Sequence, residues 1–555
     1  MKIFLAQQNY HIGNFEDNVA KIVAAIQEAA VDGADLVVFS ELCVCGYPPR
    51  DFLEFEDFIN KCYKAIDTIK SYTKDVAVIV GAPCRNDIKE GKDLFNAAWF
   101  LHEGEVKQVI HKTLLPTYDV FDEYRYFEPA YSWAVIPFKD KRLAVTICED
   151  IWNLGDNPLY RIAPMDRLID QAPDLMINIS ASPFDYNARE TRQAIVRENV
   201  LKYKIPMFYC NTVGSQTEIV FDGGSVVYDA NGELVKELPY FKEALVGFDL
   251  EKIPALKESP AAHPVVQPYH QLEFDRNIDR VHGAIVMGIR DYFQKMGFKK
   301  AILGSSGGID SAVTLALACE ALGKENVRAI LMPSPYSTDH SVDDAVRLSK
   351  NLDNPHDIIR INNIYEGFLQ TLEPYFNGLP FNVAEENMQS RIRGNLLMGL
   401  ANKFGYILLN TSNKSELSTG YGTLYGDMAG GLSVLGDVYK MQVYALAEFI
   451  NRDEEIIPGN IITKAPSAEL RPGQKDSDSL PDYTILDQVL FQYIERRKGP
   501  REIIEMGFDP QLVARTLKLV NTNEYKRNQF CPIIRVSSKA FGVGRRVPIV
   551  GKYLS

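Results

Sequence analysis

Short apolar runs rich in β-branched and aromatic residues recur through residues 1–250, and stretches with helical spacing separate them. The runs at 2–8, 36–39, 76–80, 95–101, 142–148, 174–179 and 207–211 predict strands, most of them buried. Between the first two, Val19, Ile22, Val23, Ile26 and Ala30 share one helical face behind Asn14, a residue type that caps helices. A hairpin is predicted near 226–234, turning at Ala230-Asn231-Gly232. Helix and strand signals that alternate in this way indicate an α/β domain.

The pattern breaks over 253–274, where four prolines fall without helical or strand period, as in an interdomain connector. It resumes with a helix over 278–296, a strand at 301–303, a Gly/Ser turn, a helix over 309–322 and a strand at 327–332. That order is a βαβ unit of a doubly wound parallel sheet. The expected organisation is a first domain at 1–252, a connector at 253–274 and a second domain at 275–555. A prior of roughly 150 residues per domain would divide the chain more finely, but there is no internal repeat to support it.

Composition narrows the function classes. Apolar residues make up 46% and charged residues 24%, which excludes wholesale disorder. Sixty basic against 73 acidic residues give a net charge of −13, which disfavours non-specific binding to nucleic acid or anionic membranes. No apolar run reaches the roughly 20 residues of a membrane helix, and the start reads as a strand rather than a signal peptide. The eight cysteines are scattered without a CxxC pair and read as reduced thiols, and the eight histidines lack zinc spacing. A soluble, cytoplasmic enzyme of small molecules is expected.

The sharpest local signal is Leu303-Gly304-Ser305-Ser306-Gly307-Gly308-Ile309-Asp310-Ser311, which leaves a strand and opens a helix. Free backbone N–H groups and the helix start hold an anion in such a loop, and glycines let the backbone approach phosphates closely. Ser306 and Ser311 add hydroxyl donors. Walker A spacing and its lysine are missing. Asp310 beside phosphates makes sense with Mg²⁺ between them; the bland alternative is a Gly/Ser turn with Asp310 at the helix start.

This motif resembles the pyrophosphate loop of the ATP pyrophosphatases, which activate a carboxyl or carbonyl by adenylation. Downstream, 386–398, 409–416, 419–421, 425–427, 523–527 and 539–549 resemble segments of the NAD synthetases in that group. The resemblance implies ATP contacts along Gly304, Ser305, Ser306, Gly307, Gly308, Ile309, Asp310 and Ser311, and from Thr411 and Lys440. It implies deamido-NAD⁺ contacts from Asn387 and Lys526. Glu416 is expected either beside Asp310 on Mg²⁺ or at the deamido-NAD⁺ site. Leu424 stands where ammonia-dependent bacterial relatives carry a lysine.

In the first domain Glu41, Lys112 and Cys148 stand at the ends or edges of predicted strands. A carboxylate, an ammonium and a thiol can make a nucleophilic amidase site without histidine. Composition alone does not single out Cys148 among eight thiols. The segments around 40–48, 111–116 and 147–150 resemble the Glu–Lys–Cys motifs of the nitrilase superfamily, and 178–184 resembles its glutaminase branch. That resemblance implies an α-β-β-α nitrilase-like sandwich, with Tyr118, Glu149 and Ser182 at a glutamine pocket. Arg189 would supply a basic contact only after a one-residue shift, since Ala188 stands at the usual place. Glu123 is either a second carboxylate supporting Lys112 or a loop surface charge. Cys43 and Cys45 read as packing residues.

As a whole the chain resembles the glutamine-dependent NAD⁺ synthetases, with the second domain an adenine nucleotide α-hydrolase-like, doubly wound fold. The resemblance implies L-glutamine, ATP and deamido-NAD⁺ as substrates, Mg²⁺ as cofactor, no nucleic-acid or membrane partner, and a homo-oligomer, dimer or larger. Amidation of another adenylated acid, or a regulatory module with an inactive synthetase domain, are the competing readings.

Overall fold

The computed structural model describes residues 1–154, 158–257, 270–478 and 480–554. The chain divides into two compact units, Met1–Gln267 and Pro268–Ser555. Most of the connector expected at 253–274 lies outside the described residues.

The first unit contains two six-stranded sheets. In one, Lys2–Gln7 pairs parallel with Leu36–Val38 and antiparallel with Ala244–Asp249, and the sheet continues through Ala77–Arg85, Leu94–His102 and Glu105–His111. The other is centred on the parallel strands Lys141–Ile147, Leu175–Ser180 and Met207–Asn211. Because side chains alternate across a strand, Ile3 and Leu5 point inward and share a core with Leu143, Val145, Ile177 and Ile179 of the facing sheet. Phe4 and Ala6 point outward, against Ile22 and Ile26 of the helix Phe15–Val31 and Ile66 of Glu56–Lys70. On the far side Ala144 and Met176 meet Val196 and Val200 of the helix Ala188–Tyr203. The layers are therefore the expected α-β-β-α sandwich.

The predicted strands are present, and Val226–Tyr228 pairs with Leu234–Glu237 as the predicted hairpin. Periodicity did not reveal Ala244–Asp249 as a strand, and it marked Glu105–His111 only at the end next to Lys112. Both lie at sheet edges and are largely exposed or half-buried, so their polar residues carry no burial signal.

The second unit has a five-stranded, wholly parallel sheet. Its spatial order is His356–Ile358, Val327–Leu331, Ala301–Gly304, Ile407–Asn410, Leu432–Ser433. Ile302, Ile330 and Leu408 pack with Met388 and Ile392 of the helix Val383–Phe404, while the helix Ile309–Leu322 lies against Ala301–Gly304 and Val327–Leu331. Strand order reverses between Ala301–Gly304 and Ile407–Asn410. In a doubly wound sheet ligands bind at the carboxyl ends of the strands where the order reverses.

Among the described residues no helix is long and apolar enough to cross a membrane.

The three tryptophans, Trp99, Trp133 and Trp152, all belong to the first unit, so their fluorescence reports its unfolding alone. Ile177 is fully buried between the sheets. Ile177→Ala should cost about 2–5 kcal/mol, seen as a lower urea midpoint of the tryptophan transition.

Candidate functional site

In the first unit, three strand ends bring together one buried cluster. Glu41 follows Leu36–Val38, Lys112 follows Glu105–His111, and Cys148 follows Lys141–Ile147 and opens the 3₁₀ turn Cys148–Ile151. Cys148 holds a φ of +43°, a left-handed conformation costly for a residue with a side chain. Lys112 is wholly buried and donates to Glu41 Oε1 at 2.7 Å and to both oxygens of Glu123 at 2.8 Å. Asn96 donates to Glu41 Oε1 at 2.7 Å and to Glu123 Oε2 at 3.3 Å, and Tyr47 donates to Glu123 Oε1 at 2.8 Å. The backbone N–H of Ala181 donates to the other oxygen of Glu41 at 2.9 Å.

Electrostatics follow from this geometry. Burial by itself would lower Lys112, but Glu123 and Glu41 outweigh it and hold the ammonium well above its ordinary range. Burial raises the Cys148 thiol well above its usual value; Glu41 raises it further and Lys112 opposes. The resting thiol is thus protonated, and a carboxylate that can take its proton stands in the same cluster.

Beside it, Glu149 is buried and accepts from Tyr118 Oη on both oxygens at 2.9 Å and from Tyr160 Oη at 3.1 Å. Burial raises this carboxylate, with Lys112 and the two phenols opposing. Ser182 is buried, its backbone N–H donating to Asn211 Oδ1 at 2.9 Å. Arg189 is committed elsewhere. Its fork donates to Glu237 at 2.8 and 2.7 Å, and it lies over the ring of Tyr240. Glu123 is a buried partner of Lys112, not a surface charge. Cys43 and Cys45 are fully buried, and burial raises both thiols.

In the second unit the loop after Ala301–Gly304 and the segment after Ile407–Asn410 lie at the two neighbouring strand ends where the order reverses. Gly307 has a φ of +78°, and a Cβ there would fall 2.2 Å from Ser341 O, so the loop admits only glycine. Ser306 and Ser311 share a hydroxyl hydrogen bond of 3.1 Å. Ser306 Oγ also accepts from Gly308 N at 3.2 Å, and Ser311 Oγ from Ser306 N at 3.2 Å. Among the described residues Ser305 Oγ has no hydrogen-bond partner, although it is buried. Gly304 ends the strand, and Gly308 precedes the helix that Ile309 begins.

Asp310 accepts from Lys440 Nζ at 2.5 Å and from Asn413 Nδ2 at 2.8 Å. Asn413 Oδ1 in turn accepts from the backbone N–H of Glu416 at 2.9 Å, and Glu416 accepts from Asn413 N at 3.2 Å. Burial and then the neighbouring Asp310 charge raise Glu416 well above the carboxylate range, with Lys440 opposing. Burial works against the Lys440 charge, but Asp310 and Glu416 overcome it and raise its pKa. Among the described residues no group of three or more His, Cys, Asp and Glu could hold a metal ion by itself. Two coupled carboxylates do suit a magnesium ion that completes its shell with phosphate oxygens and water.

Thr411 directly follows the strand Ile407–Asn410. Asn387, on the helix Val383–Phe404, accepts from Thr423 Oγ1 at 2.7 Å. Lys526 donates to Gly420 O at 2.7 Å and Gly422 O at 2.9 Å, and its partial burial lowers its pKa. Asn96, Asn413 and Tyr160 were not singled out from sequence; a lone amide or phenol has no local pattern that marks it.

Two family models match the chain, one described as carbon–nitrogen hydrolase over residues 2–258 and one as NAD synthase over residues 281–530. A glutamine-dependent NAD(+) synthetase of Synechocystis sp. is 44% identical, the alignment covering 99% of this chain and 98% of the relative. One of Thermotoga maritima is 40% identical over 100% and 99% of the two chains. A solved structure of the glutamine-dependent NAD+ synthetase of Acinetobacter baumannii, in complex with adenosine diphosphate, is 38% identical with a TM-score of 0.76, covering 99% of this chain and 98% of that one.

The cluster around Cys148 makes a testable electrostatic claim. Glu41→Gln keeps the shape but removes a negative charge beside the thiol. The midpoint of Cys148 alkylation against pH, followed by mass spectrometry of its peptide, should fall by about one unit. An unmoved or higher midpoint would contradict the coupling.

Proposed function

Since this chain belongs to the glutamine-dependent NAD(+) synthetases, we propose that its two clusters divide the reaction between them. The overall chemistry is the ATP-dependent amidation of deamido-NAD⁺ to NAD⁺, with L-glutamine as nitrogen source. The observation that carries the division is the pairing in one chain of a buried Glu–Lys–Cys cluster with a glycine-rich loop at the reversal of a parallel sheet.

In the first unit Glu41 takes the thiol proton as Cys148 Sγ attacks the amide carbon of glutamine. Lys112 offsets the negative charge that develops on the amide oxygen. Glu41 returns the proton to the departing nitrogen, ammonia leaves, and a thioester remains. Water, deprotonated by Glu41, then releases glutamate and the thiol. The high resting pKa of Cys148 supports this order, because proton removal and attack must occur together. Glu149, with Tyr118 and Tyr160, presents a buried carboxylate suited to the α-ammonium of glutamine, and Ser182 lines the same pocket. Arg189 takes part only if it exchanges Glu237 for substrate.

In the second unit the loop Gly304–Ser311 and Thr411 hold ATP, while Asn387 and Lys526 hold deamido-NAD⁺. Its nicotinate carboxylate attacks the α-phosphorus, pyrophosphate leaves, and ammonia displaces AMP from the acyl carbon. Lys440 stands by Asp310 to meet the phosphates. Asp310 and Glu416 would hold Mg²⁺, which when bound spreads negative charge at the phosphates. The enzyme is proposed to work in the cytoplasm as a homo-oligomer, dimer or larger.

Cys148→Ala should abolish NAD⁺ formation from glutamine and leave ammonium-driven formation intact, with NAD⁺ measured under each donor. Loss of both in a folded protein would defeat the division of labour. Asp310→Ala should lower synthesis from either donor by at least about 10²-fold while glutamate release continues. Normal synthesis in that variant would rule out the loop assignment.

A further inference from the structure

One buried carboxylate bonds the backbone beside both halves of the glutaminase cluster. Asp150 is 4% exposed. Its Oδ2 accepts from the backbone N–H of Ile147 at 3.0 Å, the residue immediately before Cys148. Its Oδ1 accepts from the backbone N–H groups of Thr113 at 3.0 Å and Leu114 at 2.8 Å, the two residues immediately after Lys112. The carboxylate is thus spent on three main-chain donors drawn from two segments that leave different sheets. Burial pushes Asp150 up to about 7, and the amides of Leu114 and Ile147 oppose that rise.

Other bonds fix the two segments on their outer sides. Lys112 N donates to Asn96 O at 2.8 Å, and Ala130 N donates to Lys112 O at 3.0 Å. Trp133 Nε1 donates to Thr113 Oγ1 at 3.0 Å. On the cysteine side, Trp152 N closes the turn on Glu149 O at 2.9 Å. Between the segments, Asp150 joins the lysine strand end to the cysteine turn. A left-handed residue such as Cys148 persists only where its surroundings over-determine it, and the bond to Ile147 N lies one residue before it.

We infer that Asp150 is a positioning residue of the glutaminase, a staple that sets the distance between Cys148 Sγ and Lys112 Nζ by bonding the backbone beside each. It rests on Cys148 and Lys112 acting as nucleophile and oxyanion partner. Only a carboxylate serves here. An asparagine offers one acceptor oxygen, and its amide would point a donor at the N–H of either Ile147 or the Thr113–Leu114 pair.

The test uses the full-length chain and measures glutamate release from glutamine. In Asp150→Asn, kcat should fall by about 10²-fold, the scale of an ångström's misplacement, while KM for glutamine stays within about threefold. Ammonium-driven NAD⁺ formation should be unchanged. Rates are expressed per alkylatable Cys148, so a loss that merely follows the unfolded fraction overturns the inference. So does a full kcat, or a loss confined to KM. If Asp150→Asn does not fold, Asp150→Glu keeps the charge but moves it by one methylene, and wild-type kcat in that variant overturns the inference equally. Cys148→Ala is run alongside. If it still releases glutamate, the nucleophile assignment falls and the staple with it. If it is inactive while Asp150→Asn runs at full rate, the staple alone falls.

Discussion

Lys112 is an ammonium with no exposed surface, and removing such a charge from water costs several kcal/mol unless partners replace the hydration. Glu41 and Glu123 do so at 2.7 and 2.8 Å, and Asn96 and Tyr47 then take up the lone pairs that the lysine leaves. Burial, reinforced by the neighbouring Glu41 charge, keeps the thiol beside this cluster protonated in the resting state. Much of the architecture at the facing strand ends serves to keep these charges paired and in place, from the left-handed Cys148 to the carboxylate of Asp150.

The second unit solves a similar problem with similar parts. Lys440 is buried beside Asp310 and Glu416, and Asn413 bridges the two carboxylates as Asn96 bridges Glu41 and Glu123. The difference lies in how firmly each charge is engaged. Both carboxylates of the first unit bond the lysine directly. In the second, Lys440 bonds Asp310, while burial and then the Asp310 charge raise the proton affinity of Glu416.

How much of this was legible in the sequence depended on whether the signal was local. The helices Ile278–Met296 and Ile309–Leu322 fall at the expected residues, because apolar periodicity marks both and a glycine, Gly297 or Gly323, follows each. Most long buried strands of the first unit were legible for the same reason, whereas the buried Ile219–Asp222 and Ile407–Asn410, four residues each, were too short to stand out. Cys148 was singled out by resemblance alone; eight thiols in a chain of average composition offer no internal choice. Glu123 stayed open between two readings because its burial is decided by a loop that returns to Lys112, which no spacing encodes. Asn96, Asn413 and Asp150 act by bridging segments remote in sequence, so their roles exist only once the sheets are assembled.

The first sheet has a further property, set by how its ends meet. Lys2–Gln7 is flanked on one side by the early strand Leu36–Val38 and on the other by Ala244–Asp249, the last strand of the unit. During synthesis that flank stands open until nearly the whole unit has left the ribosome, presenting unpaired backbone groups to any other nascent strand. The closing contact is among the most distant in sequence that the unit makes, and distant pairings form slowly. The sheet that begins with the unit's first strand is therefore completed only when its last strand arrives.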